Sequence, residues 1–371
     1  MTLRCFYALL ALLPLLPGCL AVENSNFSFD VTADMREFAG PEYQTSEYFL
    51  GTCEAIQDVG KGAFMVSIGD IDPPEHVHQT IKKVLGDDYI WYPVVGNHEI
   101  ETNEDMVWLR QWGSGEIPHL VRRGPANCKE TTYSFDYQNA HFVVLNQYYN
   151  GWSDIGDSGY EVEAIGDGKE IKLWIALGGT VLDKQVDLAD EVAYEKVPTE
   201  VLSRVPELVQ RAIRRELSGA IITEIDRHIG SADICDALYD WLKQDLQANS
   251  KPFVFVFGHE PFVSIPDADN GRYRHVGDNL DEHPQNNHRF QQLLRRHKIT
   301  AYFNGHTHGF SYAKINGLWQ IDAGHSRGKG DPGAQSTFLK VWVHDTSCRV
   351  DVYRDDAKGG PYSLTRTIAV K

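Results

Sequence analysis

The chain has 371 residues, 42% hydrophobic and 23% charged, with a formal net charge of −17. That balance excludes a disordered chain, and although the length exceeds the ~100–200 residues of a typical domain, α/β folds with one core often run longer. The acidic surplus, with no Lys/Arg run, excludes a binder of phosphate backbones, so no nucleic-acid partner is expected and an anionic substrate would need local positive charge, of which bound metal is a natural source.

In chain order, the first segment reads as an export signal. Arg4 precedes an apolar run from Phe6 to Leu16, too short for a ~20-residue membrane span, and small residues follow. Residues 1–21 are therefore expected to be a signal peptide, leaving 22–371 as the mature domain. Leu16-Pro17-Gly18-Cys19 is similar to a lipobox, which makes Cys19 a candidate lipid anchor and the only expected membrane contact, whereas Cys19-Leu20-Ala21 fits the end of an ordinary cleavable signal, and both stay open. The expected location is periplasmic, secreted or lipid-anchored. Without the leader, Cys53, Cys128, Cys235 and Cys348 remain. Their wide spacing gives no zinc-ribbon pattern, and disulfides and free buried thiols fit equally well.

The mature chain opens on a strand, Phe27 to Asp34, that ends in a carboxylate. A helical stretch from Ser46 to Val59 feeds the strand Ala63 to Ile68, and another from Pro74 to Leu85 feeds Tyr89 to Val95. Strands alternating with helices predict βαβ crossovers and a parallel sheet. Thr132 to Asp136 and His141 to Asn146 predict a hairpin. From about 150 to 231 the pattern changes to short strands (Tyr160 to Ile165, Glu170 to Leu177) and charged helical sequence, with Val201, Val205, Val209, Ile213 and Leu217 at i+4 spacing and Pro206 as a kink or restart. This stretch carries no ligand motif and reads as an accessory insertion, surface elaboration in preference to a lid or partner surface. The core resumes with a helix from Ile234 to Leu246, the strand Phe253 to Phe257, a helix carrying Phe290, Leu293 and Leu294, and the strand Ile299 to Phe303. The β-rich remainder after Gly309 predicts a second sheet packed on the first.

Four of these strands end alike, in a glycine followed by metal-competent side chains. They are Gly69-Asp70, Gly96-Asn97-His98-Glu99, Gly258-His259-Glu260 and Gly305-His306-Thr307-His308. Glycine lets the chain turn where a parallel sheet places its ligands, at the strand carboxyl ends. With Asp34, the collected donors are carboxylate, amide and imidazole without thiolate, which suits iron, zinc, manganese or a mixed pair. Two such ions stabilise both the attacking and the leaving oxygen of a phosphoryl displacement.

Together these motifs resemble the metallophosphoesterase (calcineurin-like) superfamily, over nearly the whole mature chain except the insertion. The resemblance implies a four-layer α/β/β/α sandwich of two mixed sheets and a centre of two divalent or trivalent metal ions. It implies hydrolysis of phosphate mono- or diesters of small molecules by metal-bound hydroxide. Asp70 would bridge the ions; Asn97, His259 and His306 would hold one, and Asp34 and His308 the other. His98 would protonate the leaving oxygen or stabilise the transition state, oriented by a carboxylate. The departure lies in the first motif, Asp-x-His in the family but Asp34-Met35-Arg36 here. Arginine cannot ligate a cation, so one ion loses a protein ligand, with His325 a substitute, or Arg36 holds a substrate phosphate or a structural ion pair. The alternative function is a weakened metal- or ligand-binding protein on the same fold. In the loop after His259, His275 is the most site-like of the remaining histidines, and Arg272 and Arg274 read as solvated charges in preference to substrate contacts.

Overall fold

Strand β10 (Phe253–Phe257) shows how the sequence builds the layers. Its alternation sends Phe253, Phe255 and Phe257 into one apolar core and Val254 and Val256 into another. A strand buried on both faces belongs in the middle of a layered sandwich. The same division holds in β2 (Phe64–Ile68), where Phe64, Val66 and Ile68 face one core and Met65 the other.

The computed structural model describes residues 26–176 and 207–371. Two mixed sheets face each other. The first has the order β16 (Ser363–Ala369), β15 (Cys348–Arg354), β14 (Thr337–Val343), β1 (Phe27–Thr32), β2 and β3 (Ile90–Val94). The second runs β12 (Phe310–Ile315), β13 (Leu318–Ala323), β11 (Ala301–Asn304), β10, β6 (Ala140–Val144), β5 (Tyr133–Tyr137) and β4 (Leu120–Arg123). Between them lies a layer of phenylalanines in which Phe142 meets Phe29, Phe64, Phe135 and Phe255 at ring-centroid distances of 4.8–5.3 Å. Helices α1 (Phe49–Val59), α2 (Pro74–Leu85) and α3 (Asn103–Ser114) accompany the first three strands in the chain, and α5 (Asp236–Ala248) and α6 (Pro284–Arg296) precede β10 and β11. The result is the expected α/β/β/α sandwich, corrected in one respect. The C-terminal strands do not form a sheet of their own: β14 pairs antiparallel with β1, while β13 pairs parallel with β11. The N-terminal βαβ strands and the histidine-bearing strands consequently lie in different sheets, and their carboxyl ends meet.

The insertion contributes a third sheet, β8 (Lys169–Ala176), β7 (Gly159–Gly166) and β9 (Ile221–His228), and helix α4 (Glu207–Glu216). Val209, Ile213 and Leu217 of the i+4 series are buried, whereas Val201, Val205 and the Pro206 kink lie outside the described residues. So does the leader. No helix among the described residues is long and apolar enough to cross a membrane. Among the described residues Cys53, Cys128, Cys235 and Cys348 are free thiols. Cys53 and Cys128 lie in the helix-side core and Cys348 in the core between the sheets, so packing keeps it from the other two.

Candidate active site

The parallel strands of both sheets deliver their loops to one edge. Asp34 follows β1, Asp70 follows β2, Asn97 and His98 follow β3, His259 follows β10, and His306 and His308 follow β11. Asp34, Asp70, His306 and His308 all have positive φ, at 53°, 51°, 73° and 56°. Side-chain-bearing residues avoid that region at a cost of about 1–3 kcal/mol each, and such strain clusters at functional sites. Gly69, at φ +73°, cannot be replaced, because a Cβ there would collide with the His259 ring and the Gly96 backbone.

Tautomers follow from the outer contacts. His259 Nδ1 lies 2.8 Å from the Ile68 carbonyl and His306 Nε2 lies 3.2 Å from the Asp278 carbonyl. Each of those nitrogens therefore carries the proton, and the inner nitrogen carries a lone pair. The inner nitrogens are 3.3 Å apart, and both face Asn97 Oδ1, at 3.1 and 3.2 Å. Asp70 Oδ1 lies 3.2 Å from His259 Nε2. Four acceptors thus converge with no proton between them, at about the 3.0–3.4 Å separation of ligands around an ion bound at about 2.1 Å. These residues fit a metal ion. Burial pushes both imidazole pKa values below the usual histidine value, which favours the ligating form. Burial alone would raise the Asp70 carboxyl, but His259, His98 and His306 together hold it well below the carboxylate range.

The second position is differently furnished. Asp34, Asp70 and His259 offer ligand atoms within 4.8 Å of one another. Asp34 Oδ2 accepts the His306 backbone N–H at 3.0 Å, while Oδ1, buried, has no hydrogen-bond partner and lies 3.6 Å from His308 Nε2. Burial, then repulsion from Asp70, pushes the Asp34 carboxyl well above its ordinary value, as expected of a carboxylate short of positive charge. A buried guanidinium stands beside it. Arg327 Nε donates to the Asp34 carbonyl at 2.6 Å, and its Nη2 lies 3.2 Å from His308 Nε2. His308 Nδ1 is 3.0 Å from Asp331, which also takes Arg272 in a two-bond pair at 2.9 and 3.0 Å and Arg274 at 3.4 Å. Burial, then Arg327 and Arg274, bring the His308 pKa down to about 3.

The Arg36 backbone N–H donates to the Asp70 carbonyl at 2.8 Å, but its side chain turns away from these ligands. Its guanidinium pairs with Asp72 at 3.3 and 3.5 Å, so of the two roles left open for it the structure contains the ion pair. His325 is fully buried, its Nε2 without a partner, with its ring 6.4 Å from that of His308. The His275 ring centroid lies 4.1 Å from that of His306 with the planes tilted by 39°, and its Nδ1 faces Asp278 at 3.2 Å. His98 Nε2 points toward Asp70 Oδ2 at 3.6 Å, and its Nδ1 lies 3.0 Å from Glu101 Oε1. Burial works against charge on His98, but Glu101 and Asp70 outweigh it and raise the pKa.

Sequence reasoning missed three supporting residues. Glu99 accepts backbone N–H groups of Gly96, Asp70 and Ile71 at 2.6, 3.0 and 2.6 Å and so ties two ligand loops together. Glu101 was readable as the residue one helical turn after His98. Arg327 carried no signal, because its loop approaches the site only in the folded chain.

No family model matches the chain. It is 25% identical over 268 residues to tartrate-resistant acid phosphatase type 5 of Mus musculus, a match covering 65% of this chain and 78% of the relative. The Rattus norvegicus protein of the same name matches at 25% over 248 residues, 59% of this chain and 71% of the relative. Among solved structures, PhoD aligns over 93% of this chain and 69% of its own at 10% identity and a TM-score of 0.49. GAP50, the anchor in the inner membrane complex of Plasmodium, aligns over 93% and 89% at 10% identity and a TM-score of 0.45.

Proposed function

We propose that the chain, as a member of the metallophosphoesterase superfamily, hydrolyses phosphate mono- or diesters at a two-cation centre whose positions are unequal. The convergence of proton-free acceptors from Asp70, Asn97, His259 and His306 carries this reading. Those four residues would hold the tighter ion, and Asp34, Asp70 and His308 the weaker, in competition with Arg327. The nitrogen and oxygen donors suit iron, zinc or manganese. When bound, such ions neutralise phosphoryl oxygens and acidify a water enough to make it a nucleophile near neutral pH.

The chain's own groups do the rest. Glu99 fixes the loops of Asp70 and Asn97, so the ligands are set before metal arrives. Glu101 and Asp70 raise the His98 pKa, which favours a proton on the ring, and His98 presents Nε2 to the site, where it can pass a proton to a leaving oxygen. The net charge of −17 would repel an anionic ester, so the local cations, Arg327 among them, matter for its entry. Export through the N-terminal leader, either as an ordinary cleavable signal or with Cys19 as a lipid anchor, completes the proposal and rests on the leader's sequence pattern.

His98→Ala tests it. Metal content should hold while kcat falls on the order of 10²–10⁴-fold for poor leaving groups. An equal fall on substrates with very good leaving groups would leave charge stabilisation, and not proton donation, as the role of His98. A second reading, a metal-stabilised binding protein with little turnover, draws on Arg327 beside Asp34 and His308. Metal binding with no turnover of any aryl phosphate would favour it.

A further inference from the structure

The accessory sheet reaches the site. β9 pairs antiparallel with β7, Arg227 standing opposite Tyr160, and it is otherwise a largely exposed strand. Arg227 Nη2 lies 3.0 Å from Glu101 Oε2. The other oxygen of the same carboxylate, Oε1, lies 3.0 Å from His98 Nδ1. One carboxylate therefore lies within ion-pair distance of both a guanidinium from the insertion and the imidazole from the β3 loop, through different oxygens, the approach to His98 Nδ1 being electrostatic and not a hydrogen bond. Glu101 ends a short 3₁₀ turn, Glu99–Glu101, and its side chain is 18% exposed, so its backbone alone does not fix where the carboxylate points.

We infer that the insertion is a working part of the active site: Arg227 is a positioning residue that holds Glu101, and through it the ring of His98, in the orientation that turns Nε2 to the substrate. This rests on the hydrolase reading above for its catalytic consequence, but the geometry of the three side chains is independent of it. A single, partly exposed ion pair adds little to global stability, so its effect falls on geometry, where small misplacements of a reacting group are costly. Arg36 is the competing cation on this side. It lies within electrostatic reach of both His98 and Glu101, yet its hydrogen bonds go to Asp72, which leaves Glu101 to Arg227.

The test uses the full chain with Arg227→Met, Arg227→Lys and Glu101→Gln, and the Met/Gln double variant. Measurements are steady-state hydrolysis of aryl phosphates, metal content, and the imidazole ¹⁵N resonances of His98, assigned by their loss in His98→Ala. Arg227→Met should lower kcat about tenfold with KM and metal content unchanged, and Arg227→Lys should recover most of the loss. In the Glu101→Gln background, Arg227→Met should cost less than twofold more, because the same chain of contacts is already broken. The His98 resonances should move in Arg227→Met as they do in Glu101→Gln. Additive losses, a change confined to KM, or unmoved His98 resonances would overturn the inference. If the wild-type protein turns over no substrate, the hydrolase reading fails separately, and the resonances alone decide the positioning role.

Discussion

Replacing Arg327 by glutamine removes a buried cation from beside the Asp34–His308 position while keeping a donor for the Asp34 carbonyl. The wild-type guanidinium is 5% exposed and lies 3.2 Å from the nitrogen with which His308 would bind an ion. Two unit charges about 4 Å apart repel by about 4 kcal/mol at an effective dielectric near 20, and a divalent ion doubles that. The side chain can swing aside at some cost, so the net penalty on the second ion is a fraction of this, about 2–3 kcal/mol, or roughly 30–150-fold in affinity. Dialysed wild-type protein should therefore retain about one metal per chain, the ion of Asn97, His259 and His306, and fill the second position only at high free metal. Arg327→Gln should fill it at a concentration lower by that factor, read by calorimetric titration and elemental analysis. A second affinity that is unchanged, or weaker, would refute the competition. Two metals retained by the dialysed wild type would refute it as well.

Two further outcomes concern stability. Burial works against charge on His141, but Asp245 at 2.9 Å and Asp136 at 2.7 Å outweigh it and raise its pKa above the ordinary 6.5. A raised folded pKa stabilises below the unfolded value and loses that stabilisation as pH climbs through the folded one. The difference in Tm between wild type and His141→Gln should thus be widest below the unfolded pKa and narrow above the folded one, and a difference that grows with pH would contradict the charged pairing. Phe142→Ala removes the ring at the centre of the inter-sheet layer and should cost about 3–5 kcal/mol in urea unfolding; a cost under about 1 kcal/mol would mean the layer is not tightly packed there.

The strand ends were legible because their signal is local. An apolar run followed by glycine and a ligand side chain is a few residues long, and the run FVFVF at 253–257 announces burial on both faces by itself. Sheet membership was not, since β14 finds its place beside β1 across roughly 300 residues of intervening chain. Helix α3 was overlooked although Thr102 and Asp105 mark its start, with the Thr102 side chain accepting the Asp105 backbone N–H at 3.4 Å. The residues that tune the site come from elsewhere in the chain: Arg327 from the loop after β13, and Arg227 from an insertion that read as surface elaboration. Their roles arise only when distant segments fold together, and no spacing rule records that.

The central claim is that Asp70 is the carboxylate on which the metal centre depends. It is tested most directly by elemental analysis of bound metal in purified wild type and Asp70→Ala, both verified as folded, together with aryl-phosphate turnover. The tightly held metal should fall from about one per chain to none and turnover should disappear with it. Retention of that metal by Asp70→Ala, or turnover by metal-free protein, would contradict the account.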